Sequence, residues 1–280
     1  MNGYGLWDFR APLEGRSIGR VVDSEDSQLA VGNLVFHRKG WRTHALVSAA
    51  DVRILPQVPG VPASAYLGVL GGTGLSAYVA LTKIARLQAG ESVFVSAAAG
   101  GVGSAVGQIA RLLGADRVIG SAGSPAKVKH LTEDLGFDAA FDYHDGPVME
   151  LLAHAAPDGI DVYVDNVGGD HLEAAISALR PSGRVAWCGA MAQYNSTQPP
   201  AAPRNLFDVV EKSLRLEGFL VRNYRHLTAD LEALLVPYIQ TGRIVVDQTV
   251  VQGFERVIDA FLGMLRGENT GKMIVQVSEL

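Results

Sequence analysis

The stretch Glu91-Ser92-Val93-Phe94-Val95-Ser96-Ala97-Ala98-Ala99-Gly100-Gly101-Val102-Gly103 decides the fold. Its apolar run, 92–97, predicts a buried strand, and the small residues after it predict a turn. Val102, Val106, Ile109 and Leu113 then recur at helical spacing and mark one face of a helix. The turn departs from the pattern G-x-G-x-x-G only in placing Ala98 where the first glycine stands. Alanine still permits a tight turn, Gly100 lets a bound group approach the backbone, and Gly103 lets the helix pack on the sheet. A strand running into a helix start aims free N–H groups at that turn, which suits the pyrophosphate of a dinucleotide. The same pattern also serves a tight strand-to-helix connection with no ligand. Context favours the dinucleotide, because a second strand, 117–122, ends about 20 residues on, where a ribose-reading residue is expected.

Downstream the alternation repeats. Ser124 followed by Pro125 reads as an N-cap and first-turn proline, opening a helix whose Val128, Leu131 and Leu135 face inward before Gly136 stops it. Segments 139–143, 160–165, 184–188 and 216–221 read as further strands, with helices around Leu151 and 172–179. Six strands joined by crossover helices predict an α/β fold with a doubly wound parallel sheet of the Rossmann type. The ends differ. Segments 17–23, 32–37 and 45–48 are short β-like runs divided by turn residues, and predict a small β domain. Segments 244–251 and 271–277 flank a helix near 254–265 and are expected to rejoin it. The expected division is therefore 1–74 with 243–280 as one domain and 75–242 as the dinucleotide-binding domain. Segment 54–82 carries no charged residue, but its prolines and glycines mark a buried domain junction rather than a membrane span.

Bulk properties narrow the partners. With 280 residues, 48% hydrophobic and 19% charged, the chain has material for a folded core and two modest domains. A net charge of −5 without a basic cluster offers no footprint for nucleic acid, leaving a small-molecule ligand. The single cysteine, Cys188, excludes an internal disulfide and any multi-cysteine zinc site, and a reducing, cytoplasmic setting is expected. Residues 1–10 lack the basic and apolar regions of a secretion signal. At the expected ribose position, Ser121-Ala122-Gly123-Ser124 holds no carboxylate to accept a ribose hydroxyl, and Lys127 follows in the next helical turn. NADPH is favoured over NADH, with Ser124 and the helix start as donors and Lys127 balancing the extra phosphate. Lys127 also fits an ordinary solvated lysine.

Ordered segments across nearly the whole chain carry a resemblance. They are Ala65-Tyr66-Leu67-Gly68-Val69-Leu70, Gly74-Leu75-Ser76-Ala77-Tyr78, the glycine turn, Leu135-Gly136-Phe137-Asp138 and Asp165-Asn166-Val167-Gly168-Gly169. Cys188-Gly189-Ala190, Gln193-Tyr194-Asn195, Pro203-Arg204-Asn205-Leu206 and the final segment 267–277 continue it. Together they resemble the zinc-free medium-chain dehydrogenase/reductase branch of NADPH-dependent alkenal double-bond reductases and prostaglandin reductases. The resemblance implies a Rossmann domain, a partial GroES-like β domain, and a cleft between them where an α,β-unsaturated aldehyde or ketone is reduced.

Residue by residue, the resemblance puts Gly100, Gly101, Val102 and Gly103 on the pyrophosphate, Lys127 and Tyr143 at the phosphorylated ribose beside Ser124, and Asn166 along the cofactor. It puts Cys188, Gly189 and Tyr194 on the nicotinamide half, the Phe219, Leu220 and Val221 backbone near the carboxamide, and Asn269 over the cofactor from the second domain. Tyr143, Phe219 and Val221 also fit ordinary core packing, and Cys188 a small buried residue. Tyr194 is the candidate donor to a developing enolate, since a phenol stays protonated at neutral pH; a structural tyrosine is the alternative.

Zinc chemistry of the superfamily's other branch is not expected. One cysteine and seven histidines form no ligand-spaced set, and His37 and His44 read as core or surface residues. Members of the family carry a further N-terminal β segment, including an Asp-Pro-Tyr-Met-Arg motif bordering the cleft, ahead of the point matched by Met1. Three readings follow: an active reductase with a more open cleft or with Met1 internal to a longer frame, an NADPH-binding module without turnover, or a quinone reductase. A homodimer joined near strand 216–221 is expected from the resemblance.

Overall fold

The computed structural model describes residues 13–194, 196–198 and 202–278. Three short strands come first, β1 (Ser17–Arg20), β2 (Leu34–His37) and β3 (Arg53–Ile54), antiparallel in that order over a small core of Val21, Leu29 and Val35. Segment 45–48, expected as a strand, is not one. Leu46 is 91% exposed, and Ser48 instead caps a 3-10 turn, so the run has no buried face to hold a pairing register. The third strand falls later, at β3.

The uncharged segment 54–82 is the junction. After buried Leu55 it forms a 3-10 turn (Ala63–Leu67) and α1 (Gly72–Val79), which continues into a π-turn (Ala80–Ile84). Leu75, Ala77, Val79, Ala80 and Leu81 are all buried, so the absence of charge reflects protein on all sides. No helix among the described residues is long and apolar enough to cross a membrane.

The main sheet follows. It comprises β4 (Ser92–Val95), β5 (Arg117–Ala122), β6 (Ala139–Asp142), β7 (Ile160–Asp165), β8 (Leu179–Trp187) and β9 (Arg215–Gly218), all parallel in the order β6-β5-β4-β7-β8-β9. Crossovers are α2 (Gly101–Leu112), α3 (Pro125–Glu133), α4 (Val148–Ala155), α5 (Gly169–Ala178) and short α6 (Phe207–Glu211), and α7 (Thr228–Gln240) follows the last strand. This is the doubly wound order, with its switch point between β4 and β7. Strand alternation divides the core. Val93 and Val95 pack with Ile109 of α2, Leu81 and Leu231, while Phe94 faces the opposite layer with Leu152, Leu172 and Ile176. There Phe94 stacks on Tyr163, ring centroids 5.0 Å apart, and on Phe141 at 5.9 Å.

Boundaries differ from expectation at the sheet's far side. β8 starts five residues before the expected 184, passing Ser182 in a left-handed conformation (φ 64°), and β9 ends at Gly218 rather than at 221. At the C-terminus, β10 (Gln248–Gln252), α8 (Val257–Leu265) and β11 (Lys272–Gln276) form a unit in which β10 and β11 pair with each other in parallel. They do not join the three-stranded sheet but form a sheet of their own, which touches the 3-10 turn Ala63–Leu67 on one side and the glycine turn on the other. Gly271 N–H donates to the Ala99 carbonyl at 2.8 Å, and Gln108 exchanges hydrogen bonds with the Val245 backbone at 2.7 and 3.2 Å.

Candidate active site at the switch point

The site is built where the carboxyl ends of the parallel strands open outward. Beyond β4 the chain turns at Ala97, whose φ of 48° is unusual for a residue with a Cβ. Ala98 N–H donates to the Ser121 carbonyl at 2.8 Å and Gly100 N–H to the Ala97 carbonyl at 3.0 Å, closing the turn. The strain thus falls on Ala97, while the Cβ of Ala98, at the first-glycine position, packs over Gly120. Gly103 lies so close to this turn that a Cβ there would fall 2.6 Å from the Ala98 Cα. Gly100 is the α2 N-cap and offers no side chain, and the first intrahelical bond is Ser104 N–H to the Gly100 carbonyl at 2.9 Å. The first-turn N–H groups ahead of it are positioned for an anion. Gly100 also bridges to Gly271, which sets Asn269 close by; its amide donates to the Gly271 carbonyl at 2.8 Å.

On the β5 side, Ser124 caps α3 by accepting from Lys127 N–H at 3.3 Å, as its N-cap reading requires. The Lys127 amine donates to the Gly267 carbonyl, and burial lowers its pKa. Tyr143 N–H donates to the Ala122 carbonyl at 3.1 Å, and its ring covers Gly123, leaving the phenol 3.1 Å from where a Cβ would stand. Ser124, Lys127 and Tyr143 therefore meet at the end of β5, whose residues 121–124 include no carboxylate, with Asp142 of β6 paired beside Ala122. Beneath Tyr143, in edge contact at 5.5 Å, lies buried His171, whose imidazole burial lowers to a pKa of about 4.

Across the switch point, Asn166 bonds Ser96 twice, by its amide to the carbonyl at 2.8 Å and by its N–H to the hydroxyl at 3.0 Å. Fully buried Asp165 accepts from Tyr163 (2.7 Å), Val167 N–H (2.9 Å) and Gly168 N–H (2.7 Å), fixing the turn after β7. Burial raises the Asp165 pKa, against those donors. The backbone of this turn then holds the segment beyond β8: Cys188 and Gly189 N–H donate to the Asp165 carbonyl and Met191 N–H to that of Asn166, at 2.8 to 3.0 Å. Burial pushes the Cys188 thiol up to about 11, so it stays protonated beside Ser76.

Beyond β8 and β9 opens a cleft of about 580 Å³, lined by Trp187, Cys188, Gly189, Tyr194, Phe219, Leu220 and Tyr224 among others. Tyr194 is 66% exposed there, at the end of a 3-10 turn (Met191–Gln193). Phe219 and Leu220 follow β9 and face the cleft, while Val221 opens the 3-10 segment Val221–Leu227 and packs half-buried against the core. Asn195, quoted beside Tyr194, lies outside the described residues. Ser96, Tyr163 and Asp165 escaped sequence reasoning as site-forming groups. An aspartate at a strand end before Val167-Gly168-Gly169 is a local turn signal, but nothing local names Ser96 as its partner.

Among the described residues no group of three or more His, Cys, Asp or Glu side chains gathers as metal ligands would. His37 is buried and its ring accepts from Lys39 N–H at 3.2 Å, whereas His44 is exposed beside Thr43.

Comparison with known proteins places this geometry. The profile of the family described as Zinc-binding dehydrogenase matches residues 101–237. The chain is 38% identical to a 2-alkenal reductase (NADP(+)-dependent) of Nicotiana tabacum over 96% of its own length and 78% of that protein's. It is 42% identical to mouse prostaglandin reductase 1, covering 94% of this chain and 81% of that one. Among solved structures, CurA from Vibrio vulnificus in complex with NADPH superimposes with a TM-score of 0.87 at 35% identity, over 95% of this chain and 80% of that chain. The chain belongs to the zinc-independent medium-chain dehydrogenase/reductase family of NADPH-dependent reductases.

Proposed function

We propose that this protein binds NADPH and reduces the carbon–carbon double bond of α,β-unsaturated aldehydes or ketones. The observation that carries the reading is the continuous path from the glycine turn through Asn166 to the cleft at Cys188 and Tyr194, tied by hydrogen bonds at each step. The residues present fit the cofactor. Gly103 leaves the backbone no room for a Cβ, the first turn of α2 presents N–H groups, and the end of β5 offers Ser124, Lys127 and Tyr143, with no carboxylate within 121–124. Gly100, Gly101, Val102 and Gly103 would hold the pyrophosphate and Asn269 would close over it. Asn166, Cys188, Gly189, Phe219, Leu220 and Val221 would line the nicotinamide half.

When bound, NADPH supplies the hydride that adds to the β-carbon of the substrate. Negative charge would then develop on the carbonyl oxygen, to which the Tyr194 phenol on the cleft wall would donate a hydrogen bond, and a proton from water must reach the α-carbon to complete the saturated product. The Cys188 thiol, held protonated by burial, adds no negative charge against that oxygen. Residues 1–74 and 243–280 form the substrate domain and 75–242 the cofactor domain in this reading. Two copies would join through the β9 edge, next to exposed Phe207 and Val210; a monomer in light scattering contradicts that arrangement.

The test is turnover of a panel of enals, enones and quinones by the purified chain with NADPH, the products identified by mass. Saturated aldehydes or ketones are expected. Allylic alcohols, quinone reduction alone, or cofactor binding without turnover would contradict the proposal.

A further inference from the structure

One fully buried phenol, that of Tyr163, lies where the two sides of the switch point are joined. In the parallel pair β4 and β7, Phe94 stands opposite Tyr163. Side chains two residues apart share a face of a sheet, so Ser96, just past β4, and Asp165, the last residue of β7, follow on that same face. The Tyr163 ring stacks on Phe94, which fixes where its oxygen stands. That oxygen is 2.7 Å from Asp165 Oδ1 and 2.9 Å from Ser96 Oγ.

The Asp165 carboxylate does not need this phenol to close its turn, because Val167 and Gly168 N–H already donate to the same Oδ1. What Tyr163 adds is a link to Ser96. The Ser96 hydroxyl accepts from Asn166 N–H, and the Asn166 side-chain amide donates to the Ser96 carbonyl. From this turn the contacts reach the cleft through backbone alone. The Asp165 carbonyl accepts from Cys188 and Gly189 N–H, and a Cβ on Gly189 would stand 3.0 Å from the Asn166 carbonyl oxygen. Burial, and then the charge of Asp165, raise the Tyr163 pKa well above that of a free phenol, so it keeps the proton it donates.

We propose that Tyr163 is a positioning residue for hydride transfer, which through Ser96 and Asp165 fixes Asn166 and the Cys188–Gly189 backbone against the nicotinamide. This rests on the reductase reading above. Tyr163 is fully buried and is not among the residues that line the cleft, so it acts on where the nicotinamide is held and not on the reacting atoms. A displacement of about 1 Å is enough to slow a transfer step strongly. A tyrosine that served packing alone would instead affect stability, and with it both halves of the cofactor alike.

The experiment uses the whole chain carrying Tyr163→Phe, which keeps the stacking ring and removes only the hydroxyl, or Ser96→Ala, which removes the other end of the link. Three quantities are measured: the rate of hydride transfer from NADPH to an enone in a single turnover, the emission of bound NADPH, and the affinities for NADPH and for adenosine 2′,5′-bisphosphate, the cofactor's phosphorylated adenosine half. Tyr163→Phe is expected to slow single-turnover transfer about tenfold or more and to return the bound nicotinamide's emission towards that of free cofactor. Affinity for the bisphosphate is expected to stay at its wild-type value. Ser96→Ala is expected to show the same split between the two halves. Wild-type transfer and emission in folded Tyr163→Phe overturn the proposal. So do equal losses of affinity for NADPH and for the bisphosphate, which would mark general damage to the cofactor domain. If the wild-type chain reduces no enone, the reductase reading fails separately and emission decides the positioning role: a change in both variants with bisphosphate binding intact sustains it, and unchanged emission refutes it. Should Tyr163→Phe not fold, Ser96→Ala decides by the same measures.

Discussion

Gly103 shows how little tolerance the glycine turn has: the space a methyl group needs is already filled by the Ala97 carbonyl and the Ala98 Cα. Gly103→Ala must push α2 away from the sheet, and is expected to cost about 1–3 kcal/mol, as overpacking does, and to weaken NADPH binding. Thermal melts and cofactor titration check both. Lys127 governs a different property. With no carboxylate within 121–124, its amine is the positive charge offered to a ribose phosphate, so Lys127→Ala is expected to weaken NADPH binding about tenfold or more while leaving NADH nearly unaffected. Equal losses for both cofactors would contradict that assignment. His171 supplies a pH dependence. Its folded pKa of about 4 lies below the 6.5 of a free imidazole, so between those values the unfolded chain binds the proton and the folded one does not. The stability is full above pH 6.5, falls as pH drops towards 4, and levels off below; the span is worth about 3 kcal/mol. Denaturant melts across this range should show the slope, and His171→Phe, which keeps an aromatic edge against Tyr143, should flatten it.

Among the elements, α5 carries more than its own packing. Glu173 accepts from the Arg204 guanidinium at 2.7 and 3.0 Å and from Arg204 N–H at 3.0 Å, while Asn205 bonds the Glu173 carbonyl at 2.9 Å and Ser177 at 2.8 Å. The Pro203-Arg204-Asn205-Leu206 stretch is thereby fastened to α5. Glu173→Gln is expected to speed proteolytic cleavage at Arg204 several-fold with little change in melting temperature; unchanged cleavage would show that the anchor lies elsewhere. What the sequence made legible follows from how local each signal is. Val93 to Val95 alternate, the glycine turn follows, and Ser124-Pro125 caps the next helix, so the central unit reads directly. Segment 45–48 misled because an apolar run without a packing partner has no register. α7 went unread because Pro237 interrupts a pattern that Leu231, Leu235 and Ile239 complete only once they are buried. In the candidate site, the glycine turn was legible from spacing, whereas Asn166, Cys188 and Phe219 were named through resemblance. Ser96 was not legible at all, because it takes its meaning from Asn166, 70 residues on.

At the scale of the whole molecule, the two halves meet along a seam that is also the site. The C-terminal unit is tied to the glycine turn by Gly271, to α2 by Gln108 and Val245, and to α3 by His130, which reaches Asp247 at 3.2 Å. α1 packs on α2 and on the 3-10 segment Val221–Leu227, the 3-10 turn ahead of it packs on β1, and Thr73 of α1 lies against Gly101, so anything bound at the glycine turn lies close to α1. Cofactor binding is therefore expected to stiffen the seam as well as to fill the turn, and the cleft beside Tyr194 is expected to receive the substrate against that stiffened wall. All of this depends on one claim, that the path from Gly100 to Tyr194 delivers hydride to an electron-poor double bond. The most direct test is to supply NADPH deuterated at its transferable nicotinamide position, together with an enone, and locate the label in the product by NMR. Deuterium at the β-carbon of a saturated ketone is the expected result; deuterium at the carbonyl carbon, or none transferred while the cofactor is bound, would contradict the account.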